Sequence, residues 1–187
     1  MHIAMASDHA GRALKEEIKT LLTSLGHTVV DFGTNTDDPA DLPDHVLPAS
    51  LAVASGDAER GIFIDGVGYG SAMIANKVPG VFAAVCQDSF CAELARSHSD
   101  TNVLCLGGKI IGSAIALDIV KVWMHTEWLG TNEPKYARRV EKVVAIDAQL
   151  QRGQRGSGAG QRRALGGIVA PAFGKDRAAE RAGQLLE

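Results

Sequence analysis

The chemistry available to this chain is concentrated at a few turn-flanked acids and imidazoles. In "GIFIDGVGYGSAMIANK" (61–77), Asp65 closes an apolar run and opens a loop in which Gly66, Gly68 and Gly70 alternate with other residues, followed by Ser71. A carboxylate at a strand end can serve as a general base. It can equally hold its own loop by accepting backbone N–H groups. Glycines let a backbone approach an anion closely, or simply make a tight strand-to-helix connection. The spacing places Ser71 where a dinucleotide fingerprint needs its third glycine, and no G-x-x-x-x-G-K-[ST] occurs, which argues against nucleotide chemistry.

Further candidates lie on either side. Asp8 and His9 stand in "ASDHAG", and His98 and Asn102 in "ARSHSDTNVL". His98 at a helix end is either a favourable terminal charge or a catalytic group beside the strand ends. Lys109 follows a Gly-Gly pair, while Lys135, Arg138 and Arg139 gather in "EPKYARRVEKV". That run is a solvated cationic face or a clamp on phosphate oxygens, which guanidinium geometry suits. His2, His27 and His125 have no such context.

Positioning these groups requires an alternating architecture. Short apolar runs at 2–6, 27–33, 61–64, 81–86 and 102–107 read as strands. Between them, helical periodicity marks 11–26, with Leu14, Ile18, Leu21, Leu22 and Leu25 on one face and Gly26 as a stop. Helices are also expected over 45–55, 89–98 and 113–125. The pattern predicts an α/β fold, a five-stranded parallel sheet covered on both faces. Ligands in such sheets bind beyond the carboxyl ends of the strands, so residues 7–11, 33–44, 65–71, 86–89 and 107–109 are the places to inspect.

Length and composition bound the rest. The 187 residues suit one domain with a sizeable core, and 45% hydrophobic with 22% charged residues is ordinary for a globular chain. A net charge of −3 gives no overall reason to expect nucleic acid or a membrane surface as partner. Cys86, Cys91 and Cys105 form no metal-binding spacing and suit a reducing compartment. With no signal-like start and no long apolar run, a cytoplasmic location is expected. Residues 1–150 read as the domain. Residues 151–187 contain 8 glycines and carry a net +4, so they are expected to form a flexible tail with a short terminal helix.

The stretches "IAMASDHAGRALKEEI", "VVDFGT", "GVGYGSAMIANKVPGVFAAVC", "ARSHSDTNVLCLGGKIIG" and "ARRVEKV", in this order, resemble the ribose-5-phosphate isomerase type B and galactose-6-phosphate isomerase family over residues 1–147. The resemblance implies a Rossmann-like three-layer αβα sandwich and a homodimer or homotetramer with active sites between subunits. It further implies aldose-ketose isomerisation of a sugar phosphate without metal or cofactor. Ribose 5-phosphate and ribulose 5-phosphate are the leading pair, with other tetrose, pentose or hexose phosphates as alternatives.

By the same resemblance Asp8 and His98 assist ring opening and His9 lies near the substrate. The backbone of Gly66, Gly68 and Gly70, with Ser71, holds an enediolate. Asn102 binds a reacting oxygen, and Lys109, Lys135 and Arg139 meet the phosphate. Asp65 stands where ribose-specific members carry a cysteine base, and Ser71 where another branch carries a glutamate. Val67 replaces a hydroxyl residue and Leu42 a tyrosine, while Lys135 and Tyr136 replace Arg-His. Asp65 is therefore expected to move the proton. Two competing readings are a silent subunit completing a partner's site and a nucleotide-binding regulatory module.

Overall fold

The computed structural model describes residues 1–156, and the rest of the expected tail lies outside the described residues. Five strands, β1 (His2–Ser7), β2 (Thr28–Asp31), β3 (Arg60–Asp65), β4 (Ala83–Val85) and β5 (Val103–Gly107), form one parallel sheet in the order β2-β1-β3-β5-β4. Helices α1 (Arg12–Ser24), α2 (Leu42–Ser55), α3 (Tyr69–Ala75), α4 (Ser89–Ser99) and α5 (Ser113–His125) connect or follow them. A 3₁₀ turn (Leu129–Thr131) leads into α6 (Pro134–Gly156).

Strand alternation sorts the core into two layers. Ile3, Met5, Ile62, Ile64, Leu104 and Leu106 pack under Leu14, Ile18 and Leu22 of α1, Ala92 of α4, and Ala116, Ile119 and Trp123 of α5. Ala4, Ala6, Phe63, Val103 and Cys105 face the other way, against Val46, Ala49, Ala52 and Val53 of α2 and Ala75 of α3. The αβα sandwich is as expected. Helix α2 begins three residues before the expected 45, because Pro43 falls in its first turn, where no N–H is needed. Helix α6 continues six residues beyond the 150 boundary.

The strand order reverses direction between β1 and β3, so the loops after these strands diverge and leave a crevice, the usual place for a ligand in such sheets. Asp8 and Asp65 follow those two strands. Gly11 presses α1 onto β3 there: a Cβ on Gly11 would fall 2.2 Å from the Ile64 carbonyl oxygen.

Candidate active site

At the carboxyl edge three turns interlock. Gly108 N–H donates to the Asp65 carbonyl (2.7 Å) and Lys109 N–H to the Gly66 carbonyl (3.0 Å). Asp8 Oδ1 accepts from Ala10 N (2.9 Å) and Gly11 N (3.0 Å), fixing the turn into α1. His9 Nδ1 accepts from Ala40 N at 3.3 Å, tying the β2–α2 loop to the same edge. Lys109 is exposed, with its stem beside Gly66.

Beneath them a buried ion pair braces the edge. Lys15 is fully buried, and its Nζ donates to both Asp31 oxygens (2.7 and 2.8 Å) and to the Thr34 carbonyl (3.1 Å). Burial works to raise the Asp31 pKa, but the ammonium groups of Lys15 and Lys19 outweigh it and hold the carboxyl below its ordinary value. The sequence reading passed over Lys15. Its signal was a lysine on the same helical face as Ile18 and Leu22.

Asp65 is only 4% exposed. Its Oδ1 accepts from Val67 N (2.8 Å) and Gly68 N (2.6 Å), and its Oδ2 from Ser71 N (2.7 Å). Burial pushes its pKa up, yet the N–H bonds from Ser71, Val67 and Gly68 prevail and the net shift is downward. Asp65 is thus held toward its ionised form by its own loop. Oδ1 is bound twice and Oδ2 once, so Oδ2 keeps acceptor capacity. A Cβ on Gly70 would stand 3.4 Å from that Oδ2 and 2.8 Å from Leu42 Cδ2. The bare Gly70 backbone therefore leaves room beside the carboxylate, walled by Leu42.

This geometry corrects two expectations. The Gly68 and Ser71 N–H groups already serve Asp65, so they are not free for an enediolate; among the described residues the N–H groups of Tyr69 and Gly70 have no acceptor in the chain. Ser71 is fully buried and its hydroxyl helps to lower the Asp65 pKa, so it serves the carboxylate rather than an enediolate directly. None of the thiols replaces Asp65 as a base. Burial pushes Cys86 up to about 12 and holds Cys105 well above its ordinary value, and the Asp88 carboxylate raises Cys91.

The remaining candidates lie elsewhere. Helix α4 runs back across the sheet, so His98 near its end sits at the amino edge, opposite Asp65 rather than beside it. Its ring stacks on Tyr136 at 4.4 Å and 15°. Lys135 Nζ and the Arg139 guanidinium lie 4.7 and 5.6 Å from the Tyr136 ring centre, and Lys135 also pairs with Glu133 (2.7 Å). Asn102 is corrected too. Its carboxamide clasps the neighbouring backbone, Nδ2 donating to the Gly80 carbonyl (2.8 Å) and Oδ1 accepting from Phe82 N (2.8 Å). Tyr136, as a platform under His98, was not foreseen.

One chain therefore presents two clusters: Asp8, His9, Asp65 and Lys109 at one edge, and His98, Lys135 and Arg139 at the other. Strands of five or six residues separate them by roughly 15–20 Å. Among the described residues no three His, Cys, Asp or Glu side chains gather into a metal site, and no helix is long and apolar enough to cross a membrane.

The family model described as Ribose/Galactose Isomerase matches residues 3–143. The chain belongs to the ribose/galactose isomerase family. Ribose-5-phosphate isomerase B of Escherichia coli is 39% identical over 145 residues, covering 78% of this chain and 95% of that protein. The D-erythrulose-4-phosphate isomerase of Pectobacterium atrosepticum is 34% identical over 150 residues, covering 80% and 97%. The solved structure of Clostridium thermocellum ribose-5-phosphate isomerase B superposes with a TM-score of 0.77 at 43% identity, covering 80% of this chain and 99% of that one. Membership makes the chain an enzyme, a sugar-phosphate isomerase. The regulatory nucleotide-binding reading is thereby set aside.

Proposed function

We propose that the enzyme interconverts ribose 5-phosphate and ribulose 5-phosphate through an enediolate, in sites completed by a second copy of the chain. The observation that carries this reading is Asp65, an ionised carboxylate at the strand switch point with one oxygen, Oδ2, open beside Gly70. Oδ2 takes a proton from C2 of the open-chain aldose and returns it to C1, while the hydroxyl proton on O2 passes to O1 and leaves the carbonyl at C2. The N–H groups of Tyr69 and Gly70 hold the negative charge that develops on the substrate oxygen. Asp8, whose Oδ2 makes no bond in the chain among the described residues, works with His98 of the second copy to open the sugar ring. Lys109 from one chain and Lys135 and Arg139 from the other bind the phosphate. The separation of the two clusters to opposite edges supports a shared site, because neither cluster alone holds base, ring-opening pair and phosphate clamp.

A shorter substrate is the second reading. Leu42 closes over the space that Gly70 leaves, and an apolar wall there suits a four-carbon sugar phosphate such as the D-erythrulose 4-phosphate named for one relative. Incubating the enzyme in deuterated water with ribose 5-phosphate, D-erythrulose 4-phosphate and galactose 6-phosphate in turn decides between them. Deuterium entry at C1 or C2 is expected fastest with ribose 5-phosphate. Faster exchange with the four-carbon sugar replaces the first reading with the second. Absence of exchange with every sugar leaves the silent-subunit role.

A further inference from the structure

At the amino edge of the sheet, Arg60 at the start of β3, Arg96 of α4 and the segment 124–132 wall a cleft of about 360 Å³. Its wall is rich in donors. Arg60 Nη1 donates to the carbonyls of Trp123 (3.1 Å) and Met124 (3.0 Å), and its guanidinium stacks 5.1 Å from the Trp123 ring centre. Among the described residues no carboxylate lies within ion-pair distance of Arg60.

Arg96 is 8% exposed, and its Nη1 is bound to Asp100 Oδ1 (2.8 Å) and the Thr101 carbonyl (2.6 Å), while its Nε is buried with no partner among the described residues. The indole N–H of Trp128 is likewise buried with no partner among them. Guanidinium and indole N–H groups only donate, and buried donors normally have acceptors. Burial, and next the charge of Arg96, pull the Arg60 pKa down to about 10. Asp100 balances one of the two cations, and among the described residues no carboxylate neutralises Arg60 by direct contact, Asp100 and Glu59 acting on it only through space.

We infer that this cleft binds a small tetrahedral oxyanion, inorganic phosphate or a phosphate monoester, between Arg60 and Arg96 with the Trp128 indole N–H as a third donor. Donors arrive from a strand, a helix and a loop, and His125, Thr126, Thr131 and Asn132 line the same wall, with Glu127 the one acid among the lining residues, outnumbered by the two arginines. A phosphate offers three or four oxygens to donors arriving from several directions, where a carboxylate offers two in one plane. The volume lies at the small end of ligand pockets, roughly 300–1,000 Å³. The site is separate from the isomerase centre: Arg60 and Asp65 end the same strand about 16 Å apart, and none of His98, Lys135 and Arg139 lines the cleft.

The chain has two tryptophans, so the indole signals of ¹⁵N-labelled full-length protein report the site directly. Trp123 Nε1, which donates to Thr101 Oγ1 (3.0 Å), reports on the Arg60 side of the cleft through the stacked guanidinium. On titration with inorganic phosphate at constant ionic strength, the Trp128 signal is expected to move saturably and further than the Trp123 signal. Arg60→Met is expected to weaken that saturation at least tenfold with kcat and KM for the sugar phosphate unchanged. A Trp128 signal that does not move, or that moves equally with chloride or acetate, overturns the proposal. So does a shift that survives in Arg60→Met, or a KM that rises with it, since the cleft would then belong to the isomerase centre. Should Arg60→Met fail to fold, Trp128→Phe removes the indole N–H together with part of the ring: the phosphate-induced rise in Tm is expected to shrink, and an undiminished rise refutes the assignment.

Discussion

In the proposed mechanism Asp65 is loop anchor and base together. Its low pKa keeps it ionised throughout the neutral range, and the weak basicity that follows is offset by stabilising the product anion. Asp65→Asn is expected to lower kcat by about 10²–10⁴-fold, with a smaller change in KM; steady-state kinetics on the preferred sugar checks this, and near-native kcat would remove Asp65 from the role of base. Gly70→Ala probes the access to Oδ2. A methyl group 2.8 Å from Leu42 and 3.4 Å from the carboxylate is expected to cut turnover more than it cuts stability, read by comparing kcat with the denaturation midpoint. The acid limb follows from the sign of the shifts. Asp65 and Asp31 both have folded pKa values below their unfolded ones, so their contribution to stability is complete above about pH 4–5 and lost as pH falls through the folded values. Urea unfolding from pH 7 to pH 3 is expected to show that loss below about pH 4, reduced in Asp31→Asn.

At the level of elements, the strands and helices were legible because a parallel sheet buried on both faces writes continuous apolar runs, and its helices write one-sided ones. The motif "SDHAG" was legible in the same way, as a turn at a strand end. What the sequence left undecided was orientation. Asp65 could hold its loop or face the crevice, and only the three N–H distances show that it holds the loop, with Oδ2 carrying one bond and keeping acceptor capacity. The order of the chain puts His98 just before β5, which reads as a place beside the strand carboxyl ends; a helix that returns across the sheet carries its last turn to the other edge. Asn102 read as a binding group because nothing in the letters reveals that its amide spans Gly80 and Phe82. Lys15 was hidden for a related reason: a lysine in a helix is usually solvated, and this one depends on Asp31. Lys15→Met leaves that half-buried carboxylate with Lys19 as its remaining cation, which is expected to cost about 1.5–3 kcal/mol, measured by urea unfolding.

For the whole molecule, the separation of base and imidazole to opposite edges makes assembly the central question. Under the shared-site proposal, Asp65→Asn and His98→Asn homodimers are each inactive, but a mixed dimer holds one intact site of its two. Co-refolding equal amounts is expected to restore about a quarter of wild-type activity, as random pairing in a two-fold dimer dictates. No recovery would mean that each chain completes its own site.

The grip on Asp65 has a stereochemical consequence. With one oxygen tied to two amides and the other to a third, the carboxylate is fixed on a single side of any planar intermediate laid beside it. In the proposed mechanism hydrogen leaves and returns across that same side, so label lost from one carbon can reappear on its neighbour, and the alcohol centre re-formed in the reverse direction has only one handedness.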